Sequence, residues 1–177
     1  SASDISIDEA KELGIELIPL KVSFGEKEYL DGVDLLPKQF YEKLIETDEV
    51  QSLKEFEQHL EIDRLQHILG VSYLTYKICK KLGWDYEEAT RAAVMHDLVY
   101  YDWRDGTTGA WHKGHGYKHP KYAAMNAKEL CKETLTDREE NMIRCHMWPF
   151  TVVPPKYKEG YIVLFSDKYC ATREVIY

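Results

Sequence analysis

The chain has 177 residues, 44% of them apolar and 31% charged, and a formal net charge of −8, enough for one good core and a small appendage. No window approaches the ~18 uncharged apolar residues of a membrane span, and Ser1 to Asp8 carries neither the basic nor the apolar region of a signal peptide. Cys79, Cys131, Cys145 and Cys170 are scattered without a CxxC pair, which excludes a disulfide scaffold or zinc ribbon and fits the reduced thiols of a cytoplasmic protein.

The charge is not spread evenly. Residues 1–50 hold 13 acids against 5 lysines, whereas residues 51–177 balance 18 acids with 18 bases and contain every His, Trp and Cys. Such a shift marks a domain boundary near residue 50. Neither part offers the clustered Lys and Arg that a nucleic-acid polymer requires. Within 1–50, Asp8 to Leu13 reads as a short helix closed by Gly14. Ile18, Leu20, Val22 and Phe24 alternate with Pro19, Lys21 and Ser23 as a strand; Gly25 turns the chain, and Glu28-Tyr29-Leu30 returns as a second strand. Pro37 suits the first turn of a helix bearing Phe40, Tyr41, Leu44 and Ile45.

From Gln51 onward the pattern is helical. Leu65, Ile68, Leu69, Ser72, Tyr76 and Cys79 recur at helical spacing until Leu82-Gly83. Asp85 to Glu88 reads as a capping box that opens a helix running through Ala89, Ala92, Ala93, His96 and Val99. Residues 104–118 carry four glycines and no periodicity, so they read as a loop. His119-Pro120 starts the next helix, and Thr136 to Glu139 caps another that reaches His146. A last helix runs from Tyr161. The expected fold is mainly α: a helical bundle over 51–177 with a small α/β appendage over 1–50.

Buried-looking polar residues recur on these helices. His67 aligns with Val71, Leu74, Ile78 and Leu82; His119 with Ala123, Asn126 and Leu130; His146 with Met142 and Ile143. His96 adjoins Asp97 on a small-residue face, and Asp167 aligns with Val163 and Cys170. A single histidine on such a face is usually a satisfied core residue, but a carboxylate there is expensive to desolvate. Five helices each turning such a group inward fit a shared cation, which removes the penalty from all of them together.

The order His67, His96-Asp97, Asp167 resembles the H…HD…D signature of the HD-domain phosphohydrolase superfamily, and Met95-His96-Asp97-Leu98 is similar to the centre of that motif. The resemblance covers residues ~51–177. It implies an HD-domain helical bundle in which His67, His96, Asp97 and Asp167 hold one metal. Asp97 bridges to a second metal held by His119 and His146. Imidazole and carboxylate ligands suit iron, manganese, cobalt or zinc better than calcium or an all-oxygen magnesium site, and the metal expected from the resemblance is iron or manganese, with cobalt, zinc, nickel or magnesium as alternatives. Two such metals ~3.5–4 Å apart clamp a phosphoryl oxygen and activate water as the nucleophile. The implied substrate is a small phosphorylated molecule such as a nucleotide or dinucleotide. Where the superfamily often has a Lys three positions after the HD dipeptide, this chain has Tyr100. Cationic help at the phosphate is therefore expected from Lys168 and Arg173 on the last helix, and from Arg104 and Lys118 around the loop. Arg173, six after Asp167, resembles a basic position of HD enzymes that cleave symmetric dinucleoside polyphosphates. Asp97, Lys168 and Arg173 are the expected catalytic residues. The alternative is a non-catalytic HD-fold module whose metal is structural.

The N-terminal part, from Lys11-Glu12-Leu13-Gly14 through Val22-Ser23-Phe24-Gly25 and Tyr29-Leu30-Asp31-Gly32 to Phe40-Tyr41-Glu42-Lys43-Leu44, resembles the start of DegV-family fatty-acid-binding proteins. The match covers ~45 residues and lacks that family's second lobe, so a lipid tunnel is not expected from it. An isolated hairpin leaves open strand edges and an apolar face, and pairing with a second copy would cover both. A homodimer through residues 1–50 is the expected assembly.

Overall fold

The structure is a computed structural model that describes residues 17–19, 23–24, 27–28, 35–37, 42–59, 62–102 and 114–176. The helix expected at Asp8 to Leu13, the pair Tyr29-Leu30 and most of the glycine-rich loop lie outside these residues.

In the N-terminal part, β1 (Leu17–Pro19) pairs antiparallel with β4 (Leu35–Pro37), while β2 (Ser23–Phe24) pairs with β3 (Lys27–Glu28) around Gly25. β2 and β3 pair across the expected turn, but β1, expected on the same strand as β2, pairs instead with β4. Pro37, however, ends a strand rather than opening a helix. A two-stranded sheet leaves an edge on which the missing N–H of Pro is tolerated. The first described helix, α1, is Glu42–Ile45, followed by α2 (Asp48–Gln51) with Thr47 as its N-cap. A 3-10 turn (Ser52–Glu55) leads to β5 (Glu57–His59), paired with β6 (Ile62–Asp63). β2 runs beside the last helix, and β4 beside the helix that begins at Arg64.

Five longer helices build the body. α3 (Arg64–Leu82) starts in a complete capping box between Asp63 and Gln66 and ends on Gly83, whose φ of 65° is the left-handed conformation a helix stop needs. Its buried stripe runs through Arg64, His67, Ile68, Val71, Thr75, Tyr76 and Cys79; Leu82 is exposed. α4 (Tyr86–Met95) is capped by Asp85, which accepts from the Glu88 N–H, but the Glu88 carboxylate accepts from Arg138 instead of returning to the cap. α4 stops at Met95, so His96-Asp97 lies just beyond it and Val99 is not helical. α5 (His115–Cys131) begins four residues before the expected start, on Gly114 at φ 91°, and takes Pro120 into its second turn. α6 (Asp137–Cys145) has the full Thr136–Glu139 capping box, and α7 (Lys158–Ile176) begins three residues early. α3 packs on α4 and α7, α4 on α6, and α5 on α6. Small residues on α4 and α5 (Ala89, Ala92, Ala93, Ala123, Ala127) let these helices approach closely around Ile68, Val71, Met142 and Ile143.

Candidate metal centre

Two helix ends meet at the heart of the bundle. His96 is the first residue past α4 and His146 the first past α6. Each Nδ1–H donates backwards to the carbonyl three residues earlier: His96 to Ala93 O at 2.7 Å, His146 to Ile143 O at 2.7 Å. A carbonyl only accepts, so Nδ1 carries the proton and Nε2 keeps its lone pair, aimed inward. The negative ends of both helix dipoles point the same way, which favours a cation between them. Burial also holds both imidazoles neutral. It lowers His96, and it lowers His146 far below the ordinary range with help from His119 and His96 nearby.

α3 and α7 supply the next groups that could hold a metal. His67 Nε2 lies 3.3 Å from Asp167 Oδ1, and His96 Nε2 lies 3.8 Å from the same oxygen. One ligand atom from each of His67, His96 and Asp167 falls within 4.8 Å of the others, all three residues being buried. His67 Nδ1 donates to Glu174 at 2.8 and 2.9 Å, which fixes the ring from behind. Burial opposes charge on this imidazole, but the bonds to Asp167 and Glu174 overcome it and push His67 up to about 10. Asp167 stays far below the usual carboxylate range: burial works against its charge, and the His67 bond and the Lys168 ammonium outweigh it.

α5 and the HD turn complete the arrangement. His119 Nε2 approaches His146 Nε2 at 2.9 Å and Asp97 Oδ1 at 4.0 Å. Asp97 Oδ1 is buried with no hydrogen-bond partner among the described residues. The charge on Asp97 survives its burial because His119, Arg64 and His96 surround it, and the carboxyl is held below its ordinary range. An orphaned buried carboxylate oxygen, two imidazole nitrogens pointing at each other and a carboxylate shared by two more fit a divalent cation.

The expected ligands His67, His96, Asp97, His119, His146 and Asp167 are thus brought together, although Asp97 faces His119 and is not part of the three-residue cluster. Gln58, His96, Asp97, Gly116, His119, His146, Met147, Asp167, Lys168 and Ala171 line a cavity of about 210 Å³ at this point. Lys168 Nζ sits there, 2.7 Å from Asp167 Oδ2 and 2.7 Å from Met147 Sδ. Lys118 and Arg173 are not among the lining residues, and Arg104 lies outside the described residues. Tyr100 brings no cation: burial pushes its hydroxyl up to about 12, so it stays protonated. Sequence reasoning missed Glu174, Gln58 and Arg64. Glu174 carried a signal, seven residues after Asp167 on the same face of α7.

The HD domain family matches residues 64–172, and a family described as uncharacterised protein, DegV family matches residues 1–102, so the two overlap over 64–102. A DegV domain-containing protein of Clostridium acetobutylicum is 28% identical over 118 residues, covering 62% of this chain and 40% of that protein. Another, from Halalkalibacterium halodurans, is 28% identical over 99 residues, covering 52% of this chain and 35% of its own length. The chain therefore spans about two fifths or less of the curated relatives it matches. No solved structure matches. With each match taking in more than half of the chain and the HD match enclosing all six clustered residues, the chain belongs to the HD domain family and carries a DegV-family region at its N-terminal side.

Proposed function

We propose that this chain is a metal-dependent phosphohydrolase that cleaves a phosphoester or phosphoanhydride of a small molecule, with nucleotides and dinucleotides the class to test first. HD domains form a superfamily of metal-dependent phosphohydrolases. The observation that carries the reading is the convergence of three buried imidazoles and two buried carboxylates on one cavity that also contains a lysine ammonium, with a fourth buried imidazole, His67, 3.3 Å behind Asp167.

His67, His96 and Asp167 would hold one divalent cation, and His119, His146 and Asp97 a second. Such cations supply Lewis acidity for activating water and for neutralising charge on phosphoryl oxygens. The residues of the chain do the rest. His96 and His146, locked by Ala93 and Ile143, present their Nε2 atoms without rearrangement. Glu174 keeps the His67 ring in place. Lys168 Nζ, at the cavity wall, would donate to a phosphoryl oxygen and offset part of its negative charge while Asp167 steadies it. About 210 Å³ accommodates a phosphoryl group and part of its substituent, which suits a small substrate over a polymer. A homodimer through the N-terminal strands belongs to the same reading, because β1–β4 and β2–β3 are separate two-stranded sheets with edges to cover.

Phosphate release should be assayed over nucleoside mono-, di- and triphosphates and dinucleoside polyphosphates, with Mn²⁺ or Fe²⁺ supplied. At least one of these should turn over in a metal-dependent way. A metal-loaded chain inert toward all of them would leave the structural-metal alternative standing.

A further inference from the structure

The two oxygens of Asp97 face different surroundings. Oδ2 accepts from Gln58 Nε2 at 2.9 Å and lies 3.7 Å from Arg64 Nε. Oδ1 is buried without a hydrogen-bond partner among the described residues and looks across 4.0 Å to His119 Nε2. The Gln58 amide cannot turn over, because its Oε1 accepts from Arg64 Nε at 2.9 Å and a guanidinium has only donors to offer. Arg64 is itself fully buried and donates through Nη1 to Val99 O at 2.6 Å and Tyr101 O at 3.1 Å. One guanidinium thus ties the segment after the HD dipeptide to the first turn of α3 and sets the amide that grips Asp97.

We infer that Gln58 and Arg64 are positioning residues that commit Asp97 to a metal through Oδ1 alone, with Oδ2 retained by the Gln58 amide. Gln58 lies outside the HD match and inside the DegV match, so the metal site is completed by a residue the HD match does not contain. The inference rests on the metal reading of the cluster but not on the reaction.

Gln58→Met keeps the length of the side chain and removes the donor. Mn²⁺ affinity, measured from free Mn²⁺ by EPR, should fall about 10–100-fold, the usual loss when a ligand's supporting hydrogen bond is deleted, with circular dichroism unchanged. A companion measurement needs no variant to fold. The Gln58 side-chain amide of the intact chain, followed by ¹⁵N NMR, should remain protected from exchange in both the metal-free and the Zn²⁺-loaded protein. Wild-type Mn²⁺ affinity in a folded Gln58→Met chain, or loss of amide protection on Zn²⁺ loading, would overturn the inference. A wild-type chain that takes up neither ion overturns it together with the metal reading. A loaded chain that hydrolyses nothing removes the phosphohydrolase reading alone.

Discussion

His67 is gripped on both ring nitrogens by carboxylates, Glu174 on one side and Asp167 on the other. In the metal-free chain a proton on this imidazole does the work that a cation would do. Because its folded value of about 10 lies above the ordinary 6.5, the stabilisation is fully present below pH ~6.5 and is lost as pH rises through about 10. Thermal denaturation of the metal-free protein should therefore show a falling Tm over that window, and Glu174→Gln should move the fall to lower pH. Metal loading should remove this alkaline loss, since the cation then replaces the Nε2 proton; an identical profile with and without metal would contradict the assignment of His67. Asp167→Asn tests the other partner. An amide oxygen is neutral and a poor ligand, so metal affinity should drop at least tenfold with the fold retained, as read by equilibrium dialysis. Unchanged affinity would show that Asp167 does not touch the metal.

Among the elements, α4 and α6 matter most, because each ends on a histidine proposed as a ligand. Their alignment is fixed one turn and more upstream. Arg91 of α4 bonds to Glu139 of α6, and Glu139 also accepts from the Thr136 N–H in the capping box. Thr136→Ala removes the Oγ1 that receives the Glu139 N–H at 3.1 Å. Stability should fall by about 1 kcal/mol, lowering Tm by about 2–4 °C. Calorimetry checks this, and a Tm equal to wild type would mean the cap is not holding the helix. That capping box was legible from Thr136 and Glu139 alone, as was the Leu82-Gly83 stop, because both depend on neighbours in sequence. The helix end at Cys145, capped by His146, was legible to within one residue, but the end at Met95 was not. An HD dipeptide on an alanine-rich helix looks like its continuation, and no neighbour in sequence marks the stop at Met95. Gln58 was invisible for a related reason: it sits on a short strand, and its partners Arg64 and Asp97 are 6 and 39 residues away. The six residues proposed as ligands stand out in the sequence as a set because each marks an apolar stripe with a polar residue.

At the scale of the whole molecule, the N-terminal strands are the least determined by their own sequence. Their pairing joins Leu17–Pro19 to Leu35–Pro37, a return that local alternation cannot announce, and their placement beside α3 and α7 is a tertiary matter. No helix among the described residues is long and apolar enough to cross a membrane. If the strand edges are covered by a second copy, light scattering of the full chain should give twice the 20.8 kDa mass at micromolar concentration. A monomer at high concentration would mean the strands are covered within one chain. The claim on which everything else depends is that the clustered histidines and aspartates hold a metal that drives phosphate release. The direct measurement is inorganic phosphate liberated from the nucleotide panel by one preparation, assayed as loaded with Mn²⁺, after chelation, and after Mn²⁺ is restored. The account predicts release, its loss, and its return, with no release at any stage from His96→Ala. Equal release before and after chelation, or from His96→Ala, would contradict it.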